Sequence, residues 1–111
     1  MKRFDFKNLF ILDLANNHQG RREHALNLIT AHAKIVHKHK VRAALKFQFR
    51  DLDTFVHPSH QSSSENKQVK RFLETRLTPE DFRALAKRAK EEGFLTMATP
   101  FDENSVDLME D

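Results

Sequence analysis

The sequence predicts an α/β protein built on a sheet of parallel strands. Three short apolar segments, 10–15, 41–50 and 94–99, alternate with longer segments in which apolar residues recur every three or four positions. This order is typical of right-handed parallel units whose helices lie outside the sheet. Three such strands leave two edges and one face uncovered, so we expect residues 1–111 to be a partial domain without a complete second one.

The composition fits a globular chain. Hydrophobic residues make up 39% and include ten Phe, enough for a modest core. The absence of Cys excludes disulfides and thiolate sites and is compatible with a cytoplasmic protein. No apolar run approaches the roughly 20 residues of a membrane helix, and the charged N-terminus lacks the apolar core of a signal peptide. We therefore expect a cytoplasmic protein with no membrane partner.

The positive charge raises the question of a nucleic-acid partner. The formal net charge is +3 and the isoelectric point is near 9.4. Lys and Arg alternate with Glu and Asp along 80–92, however, as on a solvated helix face. The sequence also lacks a basic strand with exposed aromatic residues and a recognition helix. We predict no nucleic-acid partner.

In the first half of the chain, strand 10–15 carries one carboxylate, Asp13, near its end. Residues 16–20 form a turn rich in Asn and Gly, and a helix is predicted from about 21 to 39. Strand 41–50 follows. Residues 51–64 have no clear period and predict a long loop whose Ser-rich centre favours mobility.

The second half begins with a short helix at about 65–75 and continues with a better-marked one. The sequence places Thr78 as its cap, Pro79 in its first turn and Gly93 at its end. Strand 94–99 follows and is expected to end before a proline. A last helix is predicted to begin with Asn104 or Ser105 as its cap and to run for little more than one turn.

Alternation along the second strand assigns its two faces. One face carries Leu45, Phe47 and Phe49, and the other carries Ala44, Lys46 and Gln48. The apolar face is expected to pack against helices. We predict an outer layer between helices and sheet that contains Leu26, Ile29, Phe47, Phe82, Leu85 and Ala89.

Polar side chains lie near the carboxyl ends of the three predicted strands, where parallel sheets bind ligands. They are Asp13, Lys46, Gln48 and Thr99. A lysine in such a place needs a carboxylate or an anionic ligand, and the set suits a small anionic substrate. The alternative is a structural ion pair between Asp13 and Lys46, with Gln48 and Thr99 bonded to the backbone; spacing leaves both open.

The seven His residues do not predict a metal site. Four of them share the first helix at spacings that do not converge, and two lie in the long loop. His18 differs because it follows the first strand beside Asn17. It is either a substrate contact or an oriented loop histidine.

Three ordered motifs resemble the N-terminal part of the sialic acid (N-acetylneuraminate) synthase family. They are DLANNHQG at 13–20, LKFQ at 45–48, and ATPFDE at 98–103 followed by SVD at 105–107. The resemblance covers about residues 9–111. It implies a (β/α)8 TIM barrel, a fold of about 250 residues, of which this chain would be a truncated piece with three strands.

The resemblance also implies a reaction in carbohydrate biosynthesis. Phosphoenolpyruvate condenses with an N-acylated aminosugar such as N-acetylmannosamine, which releases phosphate and forms a nonulosonic acid. A divalent metal, Mn²⁺ or Mg²⁺, would polarise the sugar aldehyde, with ligands from strands outside this chain. The full-length protein could be a homodimer. The alternative is a non-catalytic binding module or an inactive remnant of such a barrel.

The resemblance assigns roles residue by residue. Lys46 would hold the carboxylate or phosphate of phosphoenolpyruvate, Thr99 would help bind it, and Gln48 would contact the substrates. Asn17 and His18 would line the site. Asp13 and Ala15 stand where the family usually has Glu and Gly, so a catalytic Asp13 would reach about one methylene less far, which suggests a variant substrate.

Overall fold

The computed structural model describes residues 2–60 and 66–110 and contains one parallel sheet of three strands in the order β1-β2-β3. The strands are β1 (Leu9–Asp13), β2 (Arg42–Phe49) and β3 (Leu95–Pro100). The helices are α1 (Arg22–His39), α2 (Leu52–Phe55), α3 (Lys67–Glu74), α4 (Pro79–Glu91) and α5 (Glu103–Glu110), with a 3-10 turn at Pro58–His60. The predicted α/β class and parallel order are confirmed.

The register of the sheet confirms the predicted alternation. Asp13 lies beside Lys46 across the β1–β2 pair, and Gln48 lies beside Thr99 across the β2–β3 pair. Register neighbours in a parallel sheet project from the same face. The four polar residues therefore share one face, which we call the open face.

The opposite face of the sheet packs against α1 and α4. The largest fully buried side chains are Ile29 of α1 and Leu85 of α4. Phe47 of β2, on the face of the sheet that meets these helices, is 3% exposed. Phe82 packs edge-on against Phe49 with ring centres 4.8 Å apart. All six residues of the predicted outer layer belong to this core or pack against it, so that prediction is confirmed.

Helix α4 begins as its sequence predicts. The Thr78 hydroxyl accepts the Asp81 N–H, and the Asp81 carboxylate accepts the Thr78 N–H. Gly93 follows the helix with φ +88°, a left-handed conformation. Helix α1 ends without glycine because Lys40 takes the left-handed conformation itself, with φ +51°.

Two predicted boundaries were wrong for reasons of backbone conformation. Strand β1 stops at Asp13 rather than at residue 15, since Ala15 has φ +47° and belongs to the turn. Strand β3 includes Pro100, whose missing N–H costs β2 no hydrogen bond because the Phe49 carbonyl accepts the Phe101 N–H at 3.0 Å.

Two further predictions were wrong about local structure. The loop predicted at 51–64 contains α2 and the 3-10 turn, while its Ser-rich centre lies outside the described residues. Helix α5 spans the eight residues Glu103–Glu110 and begins at Glu103 because the Asp102 carboxylate accepts the Ser105 N–H at 2.8 Å. The cap is therefore Asp102 rather than Asn104 or Ser105.

Candidate functional site at the carboxyl ends of the strands

Lys46 and Asp13 form an ion pair on the open face of the sheet. The Lys46 Nζ lies 3.7 Å from the Asp13 Oδ2, and the two side chains are 29% and 42% exposed. A contact of this length, open to water, contributes little to stability. The ammonium is therefore accessible to an anion that approaches the open face.

Asp13 also holds the turn that follows β1. Its Oδ1 accepts the Ala15 N–H at 3.0 Å, which supports Ala15 in a left-handed conformation that is costly for any residue with a Cβ. One carboxylate oxygen thus fixes the backbone while the other faces Lys46. Asp13 therefore makes the ion pair with Lys46 and also a hydrogen bond that stabilises the turn.

Gln48 and Thr99 lie one step further along the same face, towards the ends of β2 and β3. Both are half-buried neighbours in the register. The Gln48 Oε1 accepts a hydrogen bond from the Arg50 Nη2 at 3.1 Å. With Lys46, they offer an ammonium, an amide and a hydroxyl along the carboxyl ends of two adjacent strands. Among the described residues nothing covers the open face, so these side chains lie on a surface of the sheet.

His18 lies beneath this surface and is 3% exposed. Its Nδ1 accepts the Gly20 N–H at 3.0 Å, so the neutral ring carries its proton on Nε2. Burial lowers the pKa of His18, and the nearby His24 lowers it further, while Asp81 opposes the shift. His18 and Gln48 line the same small recess of about 30 Å³, so the structure brings these two predicted residues together.

Asn17 takes a different position. It is exposed and lines, with Asp13, a recess of about 330 Å³ against α1. It is not among the residues that line the His18 recess. The turn after β1 therefore directs its polar side chains to different places: Asn16 and His18 line the recess with Gln48, and Asn17 does not.

Sequence reasoning missed Arg50, which directly follows β2. Its guanidinium carbon lies 4.4 Å from the centre of the Phe72 ring and 4.0 Å from that of Phe101. Burial lowers the pKa of Arg50, and the Asp102 carboxylate opposes the shift. The sequence did contain a signal for Arg50, because alternation along the strand predicted at 41–50 places it on the same side as Lys46 and Gln48. It was overlooked because the aromatic partners come from distant parts of the sequence.

Asp102 connects the segments that follow β2 and β3 through hydrogen bonds. Its carboxylate accepts the Asp51 N–H after β2 at 2.7 Å and the Ser105 N–H in α5 at 2.8 Å. This one side chain therefore fixes the segments that follow β2 and β3 relative to each other. Their relative position in turn sets the place of Arg50 beside Phe101.

The described residues show neither a metal cluster nor a membrane helix. Within 2–60 and 66–110, no group of three or more His, Asp or Glu side chains could hold a metal ion. Among the same residues, no helix is both long and apolar enough to cross a bilayer.

These observations define a class of protein. Its parallel sheet is covered by helices on one face and presents polar side chains at the strands' carboxyl ends, where α/β proteins bind small ligands. The profile of the NeuB family matches residues 34–111. The chain therefore belongs to the NeuB family.

Two solved structures resemble this chain. The putative spore coat polysaccharide biosynthesis protein E from Chromobacterium violaceum ATCC 12472 is 46% identical over 94% of the chain, with a TM-score of 0.89. The N-acetylneuraminic acid (sialic acid) synthetase from Leptospira borgpetersenii serovar Hardjo-bovis, in complex with citrate, has 24% identity over 93% of the chain and a TM-score of 0.67. The second supports the fold alone. No curated protein matches the chain.

The matches concern a limited part of each neighbour. The chain spans 31% of the C. violaceum protein and 32% of the Leptospira protein. The family assignment therefore rests on residues 34–111, a segment that contains β2 and β3 and their polar open face.

Proposed function

We propose that the protein containing this chain is a nonulosonic acid synthase, which joins phosphoenolpyruvate to an N-acylated aminosugar such as N-acetylmannosamine. The observation that carries the proposal is Lys46, an accessible ammonium at the carboxyl end of β2 in a NeuB-family chain. In this reaction the methylene carbon of phosphoenolpyruvate bonds to the sugar's aldehyde carbon. Water adds to the neighbouring carbon and phosphate leaves.

Lys46 would bind the carboxylate or phosphate of phosphoenolpyruvate. A charge-assisted hydrogen bond to an anion is stronger than the 3.7 Å contact that Lys46 makes with Asp13. The anion would therefore take the ammonium as its partner while Asp13 remains bonded to the Ala15 N–H. The neighbouring Thr99 hydroxyl and Gln48 amide would add neutral hydrogen bonds along the same face.

The role of Asp13 depends on its reach. An aspartate is one methylene shorter than the glutamate that the family usually carries, and here one of its oxygens is already engaged by the turn. We propose that it orients Lys46 and the turn rather than reacting with substrate. The Asp13 and Ala15 departures are also what favours the second candidate, a non-catalytic binding module.

The proposed fold of the whole protein is a (β/α)8 barrel, in which this chain supplies three strands and the open face becomes part of the interior. A covered interior would exclude water from the reacting carbons. The family's divalent metal, when bound, would polarise the sugar aldehyde. The described residues do not fit such an ion, since they contain no cluster of ligands, and we assign no metal ligand to them.

The test joins this chain to the rest of a barrel. The chain replaces the matching segment of the C. violaceum protein, and phosphate release from phosphoenolpyruvate is measured with N-acetylmannosamine and Mn²⁺. We expect metal-dependent turnover by the chimaera, none by the 111-residue chain alone, and a large loss on Lys46→Met.

The unmodified C. violaceum protein is the control for the assay conditions. If it turns over and the chimaera does not, the binding-module candidate is favoured. The double change Asp13→Glu with Ala15→Gly then shows whether those two positions are the cause. Turnover by the isolated chain would contradict the proposed barrel.

A further inference from the structure

The Arg50 guanidinium lies close to two aromatic rings at the end of β2. Its guanidinium carbon lies 4.4 Å from the ring centre of Phe72 in α3 and 4.0 Å from that of Phe101, just after β3. The N–H groups of a guanidinium lie in its plane, so its hydrogen bonds form at its edge. The function of Arg50 therefore depends on what lies at that edge.

One hydrogen bond at that edge goes to Gln48. The Arg50 Nη2 donates to the Gln48 Oε1 at 3.1 Å. The Arg50 Nε is buried and has no hydrogen-bond partner among the described residues, which closes that part of the edge to a ligand. The charge is retained although burial penalises it. This arrangement fits a residue that acts through Gln48 better than one that binds an anion itself.

The contact fixes which end of the Gln48 amide faces the open surface. A guanidinium has only donors, so it must face the amide oxygen rather than the NH2 group. The NH2 group is then left to the open face, beside Thr99 in the register. With Arg50 in place, Gln48 presents donors to a ligand.

We propose that Arg50 is a positioning residue that holds the Gln48 amide with its NH2 group towards the open face, so that Gln48 selects a substrate oxygen that accepts hydrogen bonds. Such an oxygen is a carboxylate oxygen of phosphoenolpyruvate or the acyl oxygen of the aminosugar. The inference rests on the proposed function, because it takes Gln48 as a substrate contact. The inference adds the direction of that hydrogen bond, with Gln48 as the donor, and names Arg50 as the residue that sets this direction.

The experiment uses the ¹⁵N-labelled chain and follows the Gln48 side-chain amide by NMR. Phosphoenolpyruvate and N-acetylmannosamine are titrated separately, so that the ligand whose oxygen is bound is the one whose affinity changes. In Arg50→Met the amide loses its fixed partner, and we expect its resonances to shift and the affinity to fall about three- to tenfold. Gln48→Ala is expected to have a similar effect, and the double variant no further loss.

Arg42→Met is the matched control. Arg42 opens β2 at the other end of the strand, lies 5.2 Å from the Phe4 ring centre and donates to the Asp5 carbonyl. The Arg42→Met substitution therefore removes an Arg–Phe contact that lies outside the site. We expect unchanged Gln48 resonances and unchanged affinity.

Gln48→Glu separates positioning from stability. The glutamate keeps an acceptor for Arg50 and adds an ion pair, but it presents an oxygen where the substrate oxygen would lie. We expect the unfolding midpoint to be maintained while affinity falls at least tenfold. If Arg50→Met does not fold, Gln48→Glu still tests whether Gln48 donates to a substrate oxygen. Wild-type affinity in Gln48→Glu would overturn the proposal.

The remaining outcomes are distinct. If the wild type binds a ligand and Arg50→Met behaves like Arg42→Met, Arg50 does not position Gln48, and the proposed function survives. If the wild-type chain responds to neither ligand, the substrate role of this face fails and the inference fails with it. Additive losses in the double variant would also overturn the proposal, since they show two independent contacts.

Discussion

The two faces of the β2 strand differ in burial and in chemistry. Towards the helices, Phe47 and Phe49 are 3% and 8% exposed and pack against α4. Towards the open face, Lys46 and Gln48 are only partly buried and their partners are polar. Alternate residues of one strand thus serve two purposes. Stability should therefore depend on the first face and ligand binding on the second.

The largest effect on stability is expected from Phe47→Ala. Removing a ring that is 3% exposed in the helix-side core should lower the free energy of unfolding by about 3 kcal/mol. Ile11→Ala is the control on the open face, where Ile11 is 49% exposed, and should cost about 1 kcal/mol or less. Urea denaturation measures both. Equal losses would show that the faces are not separated as described.

A second comparison concerns the two glycines. Gly20 has φ +71°, and a Cβ there would lie 2.5 Å from the Glu74 carbonyl oxygen, where the turn after β1 meets the end of α3. Gly93 has φ +88°, but its nearest neighbour would be the His37 ring at 3.7 Å. Gly20→Ala combines strain with a backbone clash and should cost about 2 kcal/mol or more.

Gly93→Ala carries the strain alone and should cost about 1 kcal/mol. Thermal unfolding of the two variants gives the difference directly. A Gly20→Ala variant as stable as Gly93→Ala would mean that the turn beneath the open face is not packed against α3 as closely as the structure shows.

A smaller effect is the pH dependence of stability from His18. Its pKa is lowered in the folded chain, so below about 6.5 the unfolded state binds more protons than the folded state. The free energy of unfolding should therefore fall as the pH drops below about 6.5 and level off below the folded pKa. His18→Asn keeps an acceptor for the Gly20 N–H and should remove this slope.

His39→Asn is the control, since His39 is exposed at the end of α1. Urea denaturation between pH 5 and 8 measures the slope for each variant. If His18→Asn retains the wild-type slope while His39→Asn loses it, the buried histidine is not the group responsible.

The sequence predicted most of the fold because its signals were local. The alternation of Leu45 and Lys46 placed the faces of β2, and Thr78 with Pro79 marked the start of α4. The errors arose where a distant contact or an unusual backbone conformation determines the local structure. Strand β1 ends early because Ala15 adopts a left-handed conformation, which the hydrogen bond to the Asp13 carboxylate stabilises. Sequence patterns do not predict such a conformation at an alanine.

The site was predictable to a similar extent. Parity alone placed Asp13, Lys46, Gln48 and Thr99 on one face. Arg50 was not predicted, because its environment comes from rings at positions 72 and 101 that only the folded chain brings together.

The central claim is that the open face binds an anion through Lys46 without depending on it for stability. It is tested by calorimetric titration of phosphoenolpyruvate into the wild-type chain and Lys46→Met, with Lys87→Met as the control. Lys87 makes a similarly long contact with Glu91, 3.9 Å, on the exposed side of α4. We predict that Lys46→Met weakens binding at least tenfold, changes the free energy of unfolding by less than about 1 kcal/mol, and that Lys87→Met changes neither. Wild-type affinity in Lys46→Met would contradict the claim.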